Sequence, residues 1–444
     1  MLTGHSAGAA DHDLATSSLF VHVVAASLWL GGLLGLVVTG RRTGPTLAAA
    51  VPRYSAVALG CLVAVGASGV LNGWLRLRGS LFAWESGYVL LGAAKVLALV
   101  VLGAFGWHHR KRTIQALLTG RPRAFLRWAA VELVAMAAVV ALAVALSRTP
   151  PPSVAGRAAV PSHGAGHAVL GTTVEPFTFL RLLTEWRLDA VVLTTVALGV
   201  VAYLTGVRRL ARRGEHWPWH RVAAMFSAAA VTVVALCGGM AEYSVALLSV
   251  HVAQLMTLLM VVPTLVALSA PVGLWQQLHG RTLDARLMQR LGDPVNGLAL
   301  VMALLVGVYG TPVLELSLRH VPVHLAVQAL SLVVGFAVMW SLVGADALLD
   351  RHLTGRDRVV LALALAGVLV GFGVLIVVRR DLLASAWFAE LRWTWADPLV
   401  DQRRAAAVAW VFAQVMVPLL LAAAYVQASR RPSSEATRRG RRTR

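Results

Sequence analysis

The chain has 444 residues, of which 58% are hydrophobic and only 14% are charged. Soluble globular domains carry about 25% charged residues, so this composition excludes an ordinary soluble protein and predicts a polytopic membrane protein. The net charge of +20 would suit a nucleic-acid-binding protein, but the arginines lie in short loops between apolar segments, where they set topology and meet anionic lipid. We therefore expect membrane lipid, and no nucleic acid, as a partner.

Eleven apolar segments have the length that crosses a bilayer, and each is predicted to be helical because lipid offers the backbone no hydrogen-bond partners. The predicted fold class is an all-α integral membrane protein with about eleven transmembrane helices, four before a central linker and seven after it. The excess of Lys and Arg in alternate loops predicts an outside N-terminus and a cytoplasmic C-terminus. The span cores are Leu19–Thr39, Ser55–Trp74, Val89–Trp107, Trp128–Leu146, Ala190–Val207, Val222–Met240, Leu247–Leu268, Val295–Val313, Pro322–Val343, Val359–Val378 and Ala405–Val426.

The chain is expected to divide into four parts. They are a four-helix membrane domain at 1–150, an outer linker at 151–176, a seven-helix membrane domain at 177–428 and a basic cytoplasmic tail at 429–444. The linker is rich in Pro, Gly, Ala and Ser. It contains His163 and His167, which either belong to a solvated loop or capture metal. Phe177–Trp186 is a candidate for a short interfacial helix.

Three histidines lie just inside span ends on one predicted side of the membrane: His22, His251 and His324. From the helix rise of about 1.5 Å per residue, each lies within about 6 Å of the outer boundary. An imidazole at this depth is costly unless it is paired or bound, so each is a candidate site residue. The alternative is a histidine that is hydrogen-bonded at a helix end.

Copper is the metal that these residues favour, because imidazole suits copper and thioether suits Cu(I). Met240 and Met256 are expected near the level of the histidines. Zinc usually takes three or four strong ligands, and carboxylates are scarce here. His320 lies one helical turn before His324, with Pro322 between them, so His320 is either a further ligand or only a cap residue.

Lys95 and Glu132 are the deepest ionisable residues of the first four spans. A lone charge at that depth is expensive, so we expect an intramembrane charge pair that either holds two helices together or takes part in ion movement. Cys61 and Cys237 lie inside apolar segments and form no C-x-x-C motif, which argues against thiolate chemistry. The sequence contains no nucleophile–base pair or phosphate-binding loop, so we expect a protein that is not an enzyme.

The second half resembles the CtaG family, membrane proteins that assist assembly of caa-type cytochrome c oxidases. Three stretches carry the resemblance: His251–Pro271, which includes Gln254 and Pro263; Gly335–Asp346; and Asp401–Trp410. Leu255 and Leu330 stand where the family usually carries histidines. The resemblance implies copper handling at the outer face and cytochrome c oxidase subunits as partners.

The first half resembles the copper resistance protein D (CopD) family. The stretch VHVVAASLWLGG from Val21, the run Tyr88–Leu99 with its Lys95, and Glu132 carry this resemblance. Together the two resemblances imply a CopD–CtaG fusion of the kind found in actinobacteria, located in the plasma membrane. The expected function is relay of Cu(I) through the outer-mouth histidines in support of oxidase assembly. The alternatives are a copper importer, a metal-free assembly scaffold and a haem-binding membrane protein.

Overall fold

The structure is a computed structural model of the chain. It describes residues 12–40, 44–77, 92–107 without 105, scattered positions between 129 and 143, and residues 174–280, 293–344 and 354–429. His163, His167 and the tail beyond residue 429 lie outside the described residues. The contacts divide the chain into two compact units. One is Met1–Val160 with Leu188–Thr194, and the other is Pro161–Arg187 with Thr195–Arg444.

The described residues form an all-α membrane protein. Eight of their helices are long and apolar enough to cross a membrane, or nine when a pair bent by 67° counts as one span. Of the two remaining expected spans, one is described as a shorter apolar helix, Gly92–Ala104, and Trp128–Leu146 is described only at scattered positions. The total of eleven spans, the outside N-terminus and the plasma membrane therefore stay predictions.

The first unit contains α1 (His12–Gly40), α2 (Gly44–Leu77) and α3 (Gly92–Ala104). The helices α1 and α2 pack closely because Gly32 has no side chain to collide with the ring of Tyr54. The hydroxyl of Tyr54 donates a hydrogen bond to the carbonyl oxygen of Trp29 at 2.6 Å. Trp29 and Leu33 are buried in the core between these helices.

The second unit contains seven apolar helical segments of span length, joined by short helices. In chain order its helices are α4 (Arg181–Thr184), α5 (Ala190–Ala211, which begins in the first unit), α6 (Trp219–Cys237), α7 (Gly239–Tyr243), α8 (Leu248–Met256), a π-helix (Thr257–Val261), α9 (Val262–Ser269), α10 (Pro271–His279), α11 (Pro294–Tyr309), α12 (Val313–Arg319), α13 (Val321–Val343), α14 (Gly355–Val378), α15 (Ser385–Leu391) and α16 (Pro398–Ser429). The segment expected to be an interfacial helix is thus helical only over the four residues of α4.

The span that carries His251 is one continuous but irregular rod from α8 to α10. Pro263 has no N–H group, so the carbonyl of Leu259 cannot receive its usual helical hydrogen bond, and the preceding turn widens into the π-helix. Gly335 of α13 packs directly against that carbonyl and against the ring of Pro263, where a methyl group would collide with the backbone. The close packing of α13 on the widened turn therefore requires glycine at this position.

Candidate metal site

The structure brings together two of the three histidines that depth alone marks as candidates. His251 lies on α8 and His324 lies on α13, and their ring centroids are 6.0 Å apart with the rings tilted by 58°. The side chain of His251 is only 3% exposed, whereas His324 is half-buried at the edge of α13. Two imidazoles from helices far apart in the sequence thus face one small space.

Each of the two imidazoles has a polar partner that fixes its ring. The Nδ1 atom of His251 lies 2.9 Å from the hydroxyl of Tyr309, which is itself buried and packs against Phe372. The Nε2 atom of His324 lies 2.8 Å from the side-chain amide of Gln328, one turn further along α13. The other ring nitrogen of each histidine is thereby left available for another partner.

The His324 Nδ1 atom is buried and has no hydrogen-bond partner among the described residues. A buried polar atom without a partner is unfavourable, because the atom loses its hydrogen bonds to water and gains none in return. Gln328 also donates to Gln254 at 3.5 Å, and Gln254 donates to the carbonyl of Ala235 on α6 at 2.8 Å. The two carboxamides therefore tie the three helices α6, α8 and α13 around the histidine pair.

Both histidines line a cavity of about 10 Å³, which is the space of about one water molecule. Leu255 lines this cavity, whereas the side chain of Leu330 is 50% exposed and lies elsewhere. The position of one missing family histidine is thus in the site, and the position of the other is not. The cavity is lined by His251, Gln254, Leu255, Leu258, His324, Val327, Gln328 and Ser331.

A carboxylate from a distant part of the chain holds the first turn of α8. Leu247 at the N-cap of α8 offers no side-chain cap, but Asp401 of α16 accepts hydrogen bonds from the backbone N–H of Ser249 at 3.1 Å and from its hydroxyl at 2.5 Å. A negative charge is favourable at a helix N-terminus. Asp401 therefore fixes the axial position of the turn that carries His251, a role that the sequence motif alone did not reveal.

The other predicted ligands are less closely connected with the pair. His320 is exposed at the N-cap of α13 and makes no side-chain cap hydrogen bond. Met256 is completely buried in the main hydrophobic core, and Met240 packs partly buried against apolar side chains. Within the described parts of the chain, no group of three or more His, Cys, Asp or Glu residues is placed to hold a metal ion. The site consequently offers two imidazoles and neutral side chains.

A charged rim lies beside His324, outside the spans. Arg187 acts electrostatically on both His324 and Glu242, and its backbone N–H donates to the carbonyl of Cys237 at 2.8 Å. Partial burial raises the pKa of Glu242 above its ordinary value, and the neighbouring carboxylate of Glu185 raises this pKa further. Both signs of charge are therefore present where His324 meets the surface of the unit.

The first unit places His22 in a different environment. Its Nδ1 atom lies 2.9 Å from the hydroxyl of Ser68 on α2, and the side chain of Asn72 donates to the carbonyl of Ser68 at 2.9 Å. Lys95 acts electrostatically on His22, whereas Glu132 acts on Tyr54. A direct pair of Lys95 and Glu132 stays a prediction.

Comparisons with known proteins agree with both halves of this description. The model of the family described as cytochrome c oxidase caa3 assembly factor (Caa3_CtaG) matches residues 201–431, just over half of the chain, and that of copper resistance protein D (CopD) matches residues 48–146. Uncharacterized proteins of Mycobacterium bovis, Mycobacterium tuberculosis and Mycobacterium leprae are each 27% identical over 458 residues. These matches cover 99% of this chain and 66% of each relative, so the chain spans about two thirds of their length. No solved structure matches.

Proposed function

Because the chain belongs to the cytochrome c oxidase caa3 assembly factor family and joins to it a copper resistance protein D region, we propose that it handles copper in the membrane in support of oxidase assembly. In this proposal Cu(I) is the cargo, held between His251 and His324 at the outer face and passed on to an oxidase subunit. The protein binds and releases the ion and is not an enzyme.

The separation of the two imidazoles carries the proposal. A bond from a metal ion to an imidazole nitrogen is about 2 Å long, so two rings that share one ion between facing nitrogens have centroids about 6 Å apart. The observed separation of the ring centroids of His251 and His324 is 6.0 Å, and both residues line a cavity of about 10 Å³. The free nitrogen of His324 is the partner that such an ion would satisfy.

The neighbours of the pair set its protonation. When Nδ1–H of His251 donates to the Tyr309 hydroxyl, the Nε2 atom of His251 carries the lone pair that binds an ion. His324 needs the opposite arrangement, with Nε2–H donating to the carboxamide oxygen of Gln328 and the lone pair on Nδ1. A half-turn of the Gln328 amide provides this arrangement and gives up the long 3.5 Å hydrogen bond from Gln328 to Gln254. Tyr309 and Gln328 therefore act as orienting residues.

The donor set favours Cu(I) over zinc. Two imidazoles without a carboxylate or thiolate fall short of the three or four strong ligands that zinc usually takes. Imidazole is a suitable ligand for copper, and a site with two protein ligands releases its ion more readily than a closed site does. This property suits a protein that transfers its cargo. In this proposal His320, which is exposed one turn before His324, meets the ion first.

Copper content and oxidase activity test the proposal together. Protein purified under reducing conditions should bind about one Cu(I) per chain, and His251→Ala or His324→Ala should remove most of it and lower oxidase activity in cells. His279→Ala is the matched control, because His279 ends α10 at the other end of the same rod. Loss of oxidase activity with unchanged copper content would contradict the ligand roles.

A metal-free scaffold is the second candidate, and Leu255 is the observation that favours it. An apolar side chain stands in the cavity where the family usually has a histidine. If the purified protein holds no copper and oxidase activity still falls when the gene is deleted, the scaffold becomes the leading account.

A further inference from the structure

The end of the second unit that is remote from the histidines carries a concentrated positive charge. Ala235, in the last turn of α6, contacts Gln254 at the histidine site. The 19 residues of α6 place its first residue about 28 Å away from that end, close to the thickness of a bilayer core. The segment that joins α5 to α6 lies at this remote end. Together with the last turns of α5 and the first turn of α6, this segment covers positions 203–221 and has one acid, Glu215, and five arginines: Arg208, Arg209, Arg212, Arg213 and Arg221.

Tryptophans mark this end as a membrane–water interface. The side chain of Trp219 is 79% exposed at the first residue of α6. Trp275 of α10 is also exposed, and its ring stacks on His279 with centroids 4.9 Å apart. Exposed tryptophans at span ends are typical of the headgroup level of a bilayer. The arginines beside them are therefore at the depth of lipid phosphates.

Arg221 differs from the other arginines because it is held in place and yet incompletely paired. Its guanidinium lies over the ring of Trp217, 4.6 Å from the centroid. The indole N–H of Trp217 donates to the hydroxyl of Tyr203 at 2.9 Å, and that hydroxyl donates to the carbonyl of Ser269 at 2.9 Å. A fixed aromatic platform thus orients the guanidinium of Arg221 before any ligand arrives.

The Nε–H group of Arg221 is buried and has no hydrogen-bond partner among the described residues. By contrast, Arg213 donates to the carbonyl of Leu278 at 2.9 Å and so completes the end of α10. A buried charged donor without an acceptor is unfavourable, and an anion beside it would remove the penalty. Guanidinium groups bind phosphate with two parallel hydrogen bonds, which makes a phosphate the best-matched anion.

We propose that Arg221, backed by Trp217, binds the phosphate of an anionic phospholipid headgroup, and that the exposed arginines of the same segment add long-range attraction. The depth of the site favours a lipid over a soluble phosphate. This inference does not depend on copper binding at the opposite end of the unit.

Lipid retention tests the proposal. The full chain is purified in a neutral detergent and mixed with phosphatidylglycerol or phosphatidylcholine, and bound lipid is counted by native mass spectrometry. Wild type should retain phosphatidylglycerol several-fold better than phosphatidylcholine, and Arg221→Gln should abolish this preference. Arg209→Gln is the matched control, since Arg209 is an exposed arginine of the same segment that lacks the aromatic platform. Arg221→Lys keeps the charge and should restore part of the preference.

Three outcomes would overturn the proposal. Equal retention of the two lipids by wild type would show that no anionic headgroup is selected. An equal loss of the phosphatidylglycerol preference in Arg209→Gln and Arg221→Gln would show diffuse electrostatic attraction without a defined binding site. If inorganic phosphate raises the thermal unfolding midpoint as much as phosphatidylglycerol does, and the rise depends on Arg221, the ligand is a soluble phosphate.

Discussion

His22 of the first unit and His251 of the second unit are both histidines inside apolar spans, but they occupy different environments. His251 lies about one turn inside the span that begins at Leu248, and His22 lies about two turns inside the span that begins at Leu14, so the expected depth of one turn holds only for His251. At either depth a polar group needs a partner. His22 meets a serine hydroxyl of the neighbouring helix, whereas His251 meets a tyrosine hydroxyl on one side and a second imidazole on the other. Depth in the membrane therefore shows only that a histidine needs a polar partner, and the second imidazole beside His251 is what makes that residue the stronger candidate for a ligand.

Restoring a family histidine is expected to have the largest effect. Leu255→His adds a third imidazole to the cavity and should tighten Cu(I) binding by about tenfold to a hundredfold. Each factor of ten in affinity corresponds to about 1.4 kcal/mol of binding free energy. Leu330→His is the matched control, because that side chain points away from the cavity and should leave affinity unchanged. Competition with a Cu(I) chelator measures both. Equal Cu(I) affinities of Leu255→His and Leu330→His would contradict the assignment of copper binding to the cavity that Leu255 lines.

Removing the hydroxyl beside His251 should have an effect of similar size and opposite direction. Tyr309→Phe deletes the group that orients the imidazole, and such losses usually weaken metal binding by about tenfold to a hundredfold. Ser68→Ala makes the corresponding change beside His22 and should leave Cu(I) affinity unchanged. Chelator competition again gives the result. A weaker Cu(I) affinity in Ser68→Ala would show that the surroundings of His22 also contribute to copper binding.

The cap on α8 should matter for stability as well as for the site. Asp401→Ala removes the acceptor of Ser249, and loss of a helix cap costs about 0.5–2 kcal/mol. The midpoint temperature of thermal unfolding should fall, and the copper affinity should fall with it. Asp357→Ala removes an exposed cap on α14 and should lower stability without changing copper affinity. Normal copper affinity in a folded Asp401→Ala protein would rule out a positioning role.

The smallest expected effect is a pH dependence outside the spans. The pKa of Glu242 is raised above its ordinary value of 4.5, so the folded chain binds this proton more tightly than the unfolded chain does. Its stabilising contribution is present below that value and is lost as the pH rises through the raised pKa. Glu242→Gln should therefore reduce the fall in thermal unfolding midpoint over this range. If the thermal unfolding midpoint of Glu242→Gln depends on pH in the same way as that of wild type, the predicted direction of the Glu242 contribution is contradicted.

Local features of this molecule were predictable, and its long-range contacts were less so. The apolar lengths predicted the helices, because backbone in lipid has no alternative. Helical spacing also explains where the two leucines that replace family histidines lie. Leu255 is four residues after His251 and on the same face, whereas Leu330 is six residues after His324 and turns away. The cap that Asp401 supplies to α8 depends on a contact between segments far apart in the chain, so no local pattern in the sequence predicts it.

X-ray absorption at the copper edge of the Cu(I)-loaded protein tests the central claim most directly. Copper bound by His251 and His324 should show a shell of two nitrogen atoms about 2 Å from the metal, with the outer-shell pattern of imidazole. This signal should persist in His22→Ala and disappear in His251→Ala and His324→Ala. A shell dominated by sulfur, or a nitrogen shell that survives the loss of both His251 and His324, would contradict it.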